Sequence, residues 1–240
     1  MLEGWVHNED VKIHYLDNTG SSDDNTPLVI IPGMAEIDED YEDILQALLP
    51  RRVLVITMRG RGKSDTPEKG YTLEDHVSDI ESVINHIEID DFVLFGYARG
   101  VSYALGYAVS HPDRMKGLII GDYPPIQANL EEGWAEFFAE IPYRKRPVLD
   151  RVSMATLKEI EKDSRDIHFL EPLKNVNCPV LVLRGTQQGA GLTEDGAKEY
   201  LLAVPDANIR EFNEEGEDIF HPSTGEFVQR IEEFFEEIDR

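Results

Sequence analysis

The chain is short of basic side chains, cysteine and long apolar runs, and each shortage removes a class of function. Lysine and arginine total 23 against 48 aspartates and glutamates, a formal net charge of −25. Nucleic acid and anionic membrane would be repelled, so neither is expected as a partner. The single cysteine, Cys178, excludes an internal disulfide. It stands just before an apolar strand, where a buried thiol is expected rather than a reactive one. No apolar run is long enough to cross a bilayer. The N-terminal Met1-Leu2-Glu3-Gly4-Trp5 has no basic stretch leading into an apolar one, so no secretion signal is expected and a cytoplasmic location is the default. A lone cysteine and dispersed histidines fit no zinc pattern, and neither a G-x-G-x-x-G nor a P-loop occurs. No metal or cofactor is therefore expected.

What is present is a regular alternation of apolar segments. Residues 4–7 and 11–16 read as an antiparallel hairpin around Asn8-Glu9-Asp10, at a sheet edge. Short continuous apolar strands follow at 28–31, 53–56, 92–95, 117–121 and 180–183, with a weaker one at 209–212. Between them lie helical patterns at 41–49, 72–87 and 104–109, and 226–238 closes the chain. Thr72 caps the second helix, in which Leu73, Val77, Ile80, Val83, Ile84 and Ile87 form one apolar face. Such strands joined by helices predict an α/β fold, a mostly parallel twisted sheet covered by helices on both faces. The alternation breaks between Pro124 and Pro179, where helical stretches at 131–140 and 154–163 predict a small helical cap over the sheet's C-terminal edge. The expected organisation is thus a core of 1–123 and 179–240 with a cap insertion at 124–178. Ligands bind at that edge of such sheets. The acidic runs at 36–42, 88–91, 131–136 and 211–218 read as solvated surface.

The most informative stretch is Gly96-Tyr97-Ala98-Arg99-Gly100. It joins an apolar strand to a helix, and glycine is needed where the two backbones approach. This is the G-x-S-x-G nucleophile elbow with alanine at its centre. Three other landmarks share its context: Pro32-Gly33-Met34 after one strand, Arg59-Gly60-Arg61-Gly62-Lys63-Ser64 after the next, and His111-Pro112-Asp113-Arg114 before a further strand. Together they resemble the α/β-hydrolase superfamily over nearly the whole chain.

The resemblance implies a serine-type hydrolase of the esterase or lactonase kind, acting on a small uncharged or partly apolar acyl compound. It puts the nucleophile position at Ala98, which carries no nucleophile. Either serine has been replaced there, or the protein binds or signals through a small ligand without turning it over. By the same resemblance the backbone N–H groups of Met34 and Arg99 form the oxyanion hole. The Arg99 side chain is expected as a surface or cap contact. Glu217 occupies the usual histidine position and His221 follows four residues on, so either is the candidate base. The usual acid position after strand 180–183 reads Gly185-Thr186-Gln187-Gln188, with no acid. Asp122 is the candidate acid instead, with Asp195 as runner-up, although Asp195 also suits a helix N-terminus. Trp134, with Phe137, Phe138 and Tyr143, either lines the substrate pocket or packs the cap. The expected partner is a small-molecule substrate or ligand.

Overall fold

A computed structural model describes residues 1–20, 25–144, 146–213, 219 and 224–240. Its centre is an eight-stranded sheet. The strands are β1 (Leu2–Asn8), β2 (Val11–Asp17), β3 (Leu28–Ile31), β4 (Val53–Thr57), β5 (Phe92–Tyr97), β6 (Met115–Gly121), β7 (Val180–Gly185) and β8 (Asn208–Phe212). Their order across the sheet is β1-β2-β4-β3-β5-β6-β7-β8. The hairpin β1–β2 is antiparallel and joins β4 antiparallel. All pairs from β4 to β8 are parallel.

Strand residues alternate between two cores, because successive side chains point to opposite faces. Val29, Ile31, Leu54, Ile56, Leu94, Leu118, Ile120 and Val182 face one side. There they meet α2 (Leu73–His86), α3 (Gly100–Ser110) and α7 (Glu194–Ala203). Leu28, Ile30, Val53, Val55, Val93, Phe95, Ile119 and Leu181 face the other. They pack on α1 (Glu42–Ala47) and α8 (Thr224–Ile238), the latter through Phe227, Ile231, Phe234 and Phe235. With both faces covered, each strand can be continuously apolar.

Thr72 caps α2 as the sequence predicts. Its Oγ1 accepts from the Asp75 N–H at 3.2 Å, and the Asp75 carboxylate accepts from the Thr72 N–H at 2.9 Å. Between β6 and β7 lie three helices, α4 (Trp134–Glu140), α5 (Met154–Asp163) and the short α6 (Leu170–Leu173). The first starts later than the helical pattern suggests, because Gly133 has a φ of 91° and breaks the helix there. An apolar cluster of its own, with Ala135, Val148, Val152, Leu157 and Ile160, seats this segment on Met34, Ala35 and Tyr71. Among the described residues, no helix is long and apolar enough to cross a membrane.

The parallel registers bring strand ends together. Ile31 pairs with Gly96, Tyr97 with Gly121, and Gly121 with Leu183. The loops leaving β3, β5, β6 and β7 therefore emerge side by side. At this point the backbone is very close: a Cβ on Gly100 would lie 2.3 Å from the Pro32 carbonyl oxygen and 2.4 Å from that of Ile31. Relief needs backbone displacement on both sides, so Gly100→Ala is expected to lower stability by about 3 kcal/mol. Gly133→Ala, with open space around its Cβ, is expected to cost about 1 kcal/mol through its positive φ alone. Urea denaturation of the two variants reads the difference.

Candidate active site

Ala98 sits in the turn between β5 and α3 with a φ of 45°, in the left-handed region that a side chain adopts only under constraint. Its N–H donates to the Gly121 carbonyl at 2.8 Å, and its carbonyl accepts from the Val101 N–H at 2.9 Å. The turn is thereby fixed from both sides. A Cβ on Gly96 would come within 2.7 Å of the Val101 backbone, so glycine is required there too. Met34 and Arg99 line the same cavity as Ala98, and neither backbone N–H donates to a protein acceptor among the described residues.

Ala98, Met34, Arg99 and Trp134 line one cavity of about 270 Å³. Its remaining walls include Glu36, Tyr97, Tyr123, Leu130, Phe138 and Tyr143. Trp134 stacks on Phe138, with ring centroids 4.7 Å apart. Phe137 is not among these walls; it is 65% exposed. A larger groove of about 510 Å³ lies at the opposite end of the strands, around Pro27, Arg52, Asp91 and Lys116. It holds none of the residues singled out above.

Asp122 follows β6, is fully buried and has a φ of 52°. Its Oδ1 accepts from the N–H groups of Gly185 at 3.0 Å and Leu192 at 3.4 Å, and its Oδ2 from that of Gly191 at 2.6 Å. Burial raises its pKa, against the lowering effect of these three donors and of Arg184. The carboxylate thus anchors the loop after β7 and does not line the cavity. Asp195 lies in the first turn of α7, where Thr193 caps the helix; its side chain is exposed, meets Lys198 and is not among the residues lining the cavity. The two candidate bases, Glu217 and His221, lie outside the described residues.

The residue that sequence reasoning missed is Glu36. The run 36–42 is not wholly solvated: Glu36 and Asp38 are each 2% exposed. Charge runs hide such a residue, because composition cannot tell a carboxylate under a cap from one in water. The available signal is its place three residues beyond Gly33, in the loop leaving β3. Glu36 Oε2 accepts from the Gly33 N–H at 2.7 Å and from the Tyr41 hydroxyl. Its Oε1 accepts from the Tyr143 hydroxyl and lies 3.3 Å from Arg144 Nη2. A Cβ on Gly33 would lie 3.0 Å from Glu36 Oε2 and 3.3 Å from the Ala98 Cβ, so Glu36 and Ala98 are neighbours across that glycine. Burial pushes the Glu36 carboxyl up to about 7, although Arg144, Tyr143, Tyr41 and the Gly33 N–H favour its ionised form. Burial and the adjacent Glu36 push both tyrosines upward, so they keep the protons they donate.

The Arg59–Ser64 stretch is a structural loop, as expected. Arg59 makes a paired contact with Asp79, at 2.6 Å through Nε and through Nη2. Arg61 donates to the Met34 carbonyl at 3.1 Å and so supports the loop leaving β3. Its Nη1 also meets His76 Nε2 at 2.9 Å, while His76 Nδ1 lies 2.7 Å from the Thr72 carbonyl. The carbonyl requires the proton on Nδ1, so Nε2 is the acceptor. Burial first, then Arg61, holds His76 well below its ordinary pKa and therefore neutral. Cys178 is half-buried, and burial pushes its thiol up to about 11.

A model of the α/β hydrolase fold family matches residues 26–194. The chain belongs to that family. It is 42% identical over 72 residues to a probable proline iminopeptidase of Leptolyngbya boryana, covering 29% of this chain and 22% of that protein. It is 28% identical over 121 residues to haloalkane dehalogenase 2 of Mycobacterium tuberculosis, covering 49% of this chain and 41% of the other. The chain thus matches less than half the length of these curated relatives. Among solved structures, an esterase from Exiguobacterium antarcticum superposes with a TM-score of 0.81 at 19% identity, over 98% of this chain and 100% of that one. Such a likeness carries the fold alone.

Glu36 gives the protein a pH signature. Its pKa is about 7 folded and 4.5 as the ordinary reference. Between these values the native state holds the proton and the unfolded chain has lost it, so this contribution is full below pH 4.5 and is lost as pH rises to 7. The upper bound is about 3 kcal/mol. Glu36→Gln, neutral throughout, is expected to lose less stability than the parent between pH 5 and 8, as read by thermal unfolding at each pH.

Proposed function

We infer that the cavity at Ala98 is the acyl-binding site of an ester- or lactone-hydrolysing architecture whose nucleophile position is occupied by alanine. The observation that carries this reading is the left-handed turn at Ala98, in a cavity shared with Met34 and Arg99, whose N–H groups have no acceptor among the described residues and are the proposed oxyanion donors. A hydroxyl on residue 98 would enter the cavity next to those donors, where a carbonyl oxygen gaining charge needs them. Serine would add to the carbonyl carbon while a base took its proton. The base would then protonate the leaving oxygen and activate water against the acyl-enzyme. His221, or Glu217 in its place, is the proposed base, and Asp122 the proposed acid that orients it. Asp122 already accepts three N–H groups, but a carboxylate offers about four lone-pair sites, so one remains. The segment 124–178 is the proposed cap: Trp134, Phe138 and Tyr143 close the cavity from above. Hydrolase names among the relatives support this chemistry at the level of class.

As it stands the chain is expected to be nearly inert towards esters. Ala98→Ser should raise short-chain ester hydrolysis by roughly 10⁴-fold or more, in line with what removal of such a nucleophile costs. It should also add one fluorophosphonate adduct per chain by intact mass. His221→Ala and Glu217→Gln in the Ala98→Ser background then identify the base, since only the true base abolishes labelling. A second reading, capture of a small ligand without turnover, is favoured by Ala98 itself: a closed aromatic cavity is kept without a nucleophile. It predicts that Ala98→Ser gains neither label nor activity.

A further inference from the structure

Among the described residues, the buried guanidinium groups are matched with one exception. Arg59 meets Asp79, Arg144 meets Glu36 and Asp40, and Arg151 meets Asp40. Arg61 has no carboxylate, but the carbonyls of Met34 and Arg59, His76 Nε2, Met34 Sδ and the Tyr103 hydroxyl take up its donors. Arg99 is the exception. It lines the cavity and is 6% exposed. Its one hydrogen bond runs from Nη1 to the Ala128 carbonyl at 3.3 Å. Its Nε is buried without an acceptor, and the buried Gln127 Oε1 is equally without a donor, so the two do not satisfy each other. Among the described residues no carboxylate lies within ion-pair distance of Arg99.

A buried charge without a counter-charge is unfavourable. Among the described residues, Glu36 is the acid that lines this cavity, and its ion-pair partner is Arg144, not Arg99. We propose that the substrate supplies the missing charge: the cavity takes an acyl compound bearing its own carboxylate, a half-ester or half-amide of a short dicarboxylic acid, and Arg99 binds that carboxylate. This rests on the reading of the cavity as an acyl site, and it replaces the expectation of an uncharged substrate.

The chemistry fits. Arginine's planar fork takes a carboxylate through two parallel N–H···O bonds. Arg99 directly follows Ala98, so an anion on it lies a short carbon chain away from a carbonyl held at the Met34 and Arg99 N–H groups. Trp134 and Phe138 offer apolar walls to that chain, and about 270 Å³ restricts it to a small molecule. Glu36 lines the same cavity, but Arg144 faces it and four donors occupy its oxygens. The net charge of −25 acts through solvent, where salt screens it beyond about 8 Å, whereas a buried pair is screened far less.

The test uses the Ala98 protein, which binds without turnover. Calorimetric titration compares monoethyl succinate with diethyl succinate, on the parent, Arg99→Lys and Arg99→Met. The expected result is at least tenfold tighter binding of the monoanion by the parent, a reduced preference in Arg99→Lys and none in Arg99→Met. Arg99→Met should also melt no lower than the parent, because it removes an unmatched charge. A lower melting temperature, with the preference for the monoanion unchanged, would assign Arg99 to holding Ala128 and overturn the proposal. Equal binding of both esters by the parent, or no binding of either, would overturn it as well. Ala98→Ser separates this from the hydrolase reading. Turnover of neutral and half-esters alike removes only the carboxylate subsite. Arg99-dependent binding without turnover removes only the hydrolysis.

Discussion

The close approach of Gly100 to the carbonyls of Ile31 and Pro32 is the contact on which the rest of the site depends. It forces the helix that follows β5 to begin directly against the end of β3. The turn between them then has room for one conformation, and Ala98 takes it in the left-handed region. The same contact brings the loop that starts at Pro32 beside that turn, so that Met34 and Arg99 line one cavity with Ala98. Parallel pairing supplies the alignment: strands in register end together, and the loops after β3, β5 and β6 share one edge.

A second layer of polar contacts ties that edge to the segment above it. Glu36 reaches down to the Gly33 N–H and up to Tyr143 and Arg144. Arg144 and Arg151 both meet Asp40, and Arg151 also donates to the Ala35 carbonyl. From below, Arg61 holds the Met34 carbonyl. The loop after β3 is therefore held from three directions. Carboxylates do this work in a protein already rich in them, and the buried ones behave differently from those on the surface. Desolvation lifts Glu36 towards neutrality, and three backbone donors turn Asp122 into an anchor for the loop after β7.

Much of the architecture was legible from local pattern. The strands at Leu28–Ile31 and Val180–Gly185, the capped helix Leu73–His86 and the glycine-flanked turn at Ala98 all rest on periodicity, capping and steric need within a few residues. Glu36 was not legible, because its neighbours Glu39 and Glu42 are exposed and the same letters occur in both settings. Phe137 and Phe138 are adjacent in sequence, yet only Phe138 faces the cavity, a matter of which side of a short helix meets the sheet. The solitary state of Arg99 is equally invisible, since an ion pair or its absence is a relation between distant segments.

The sequence by itself determined the α/β class, the order of strands and helices, and the elbow frame with alanine at its centre. These follow from side-chain periodicity and from the steric demands of glycine, which act over short stretches of chain. Only the tertiary structure decided which acids are buried, that Asp122 faces the loop after β7, and that Arg99 has no counter-charge among the described residues. Those outcomes depend on desolvation and on partners far apart in the chain, and the fold creates both by bringing distant segments into contact.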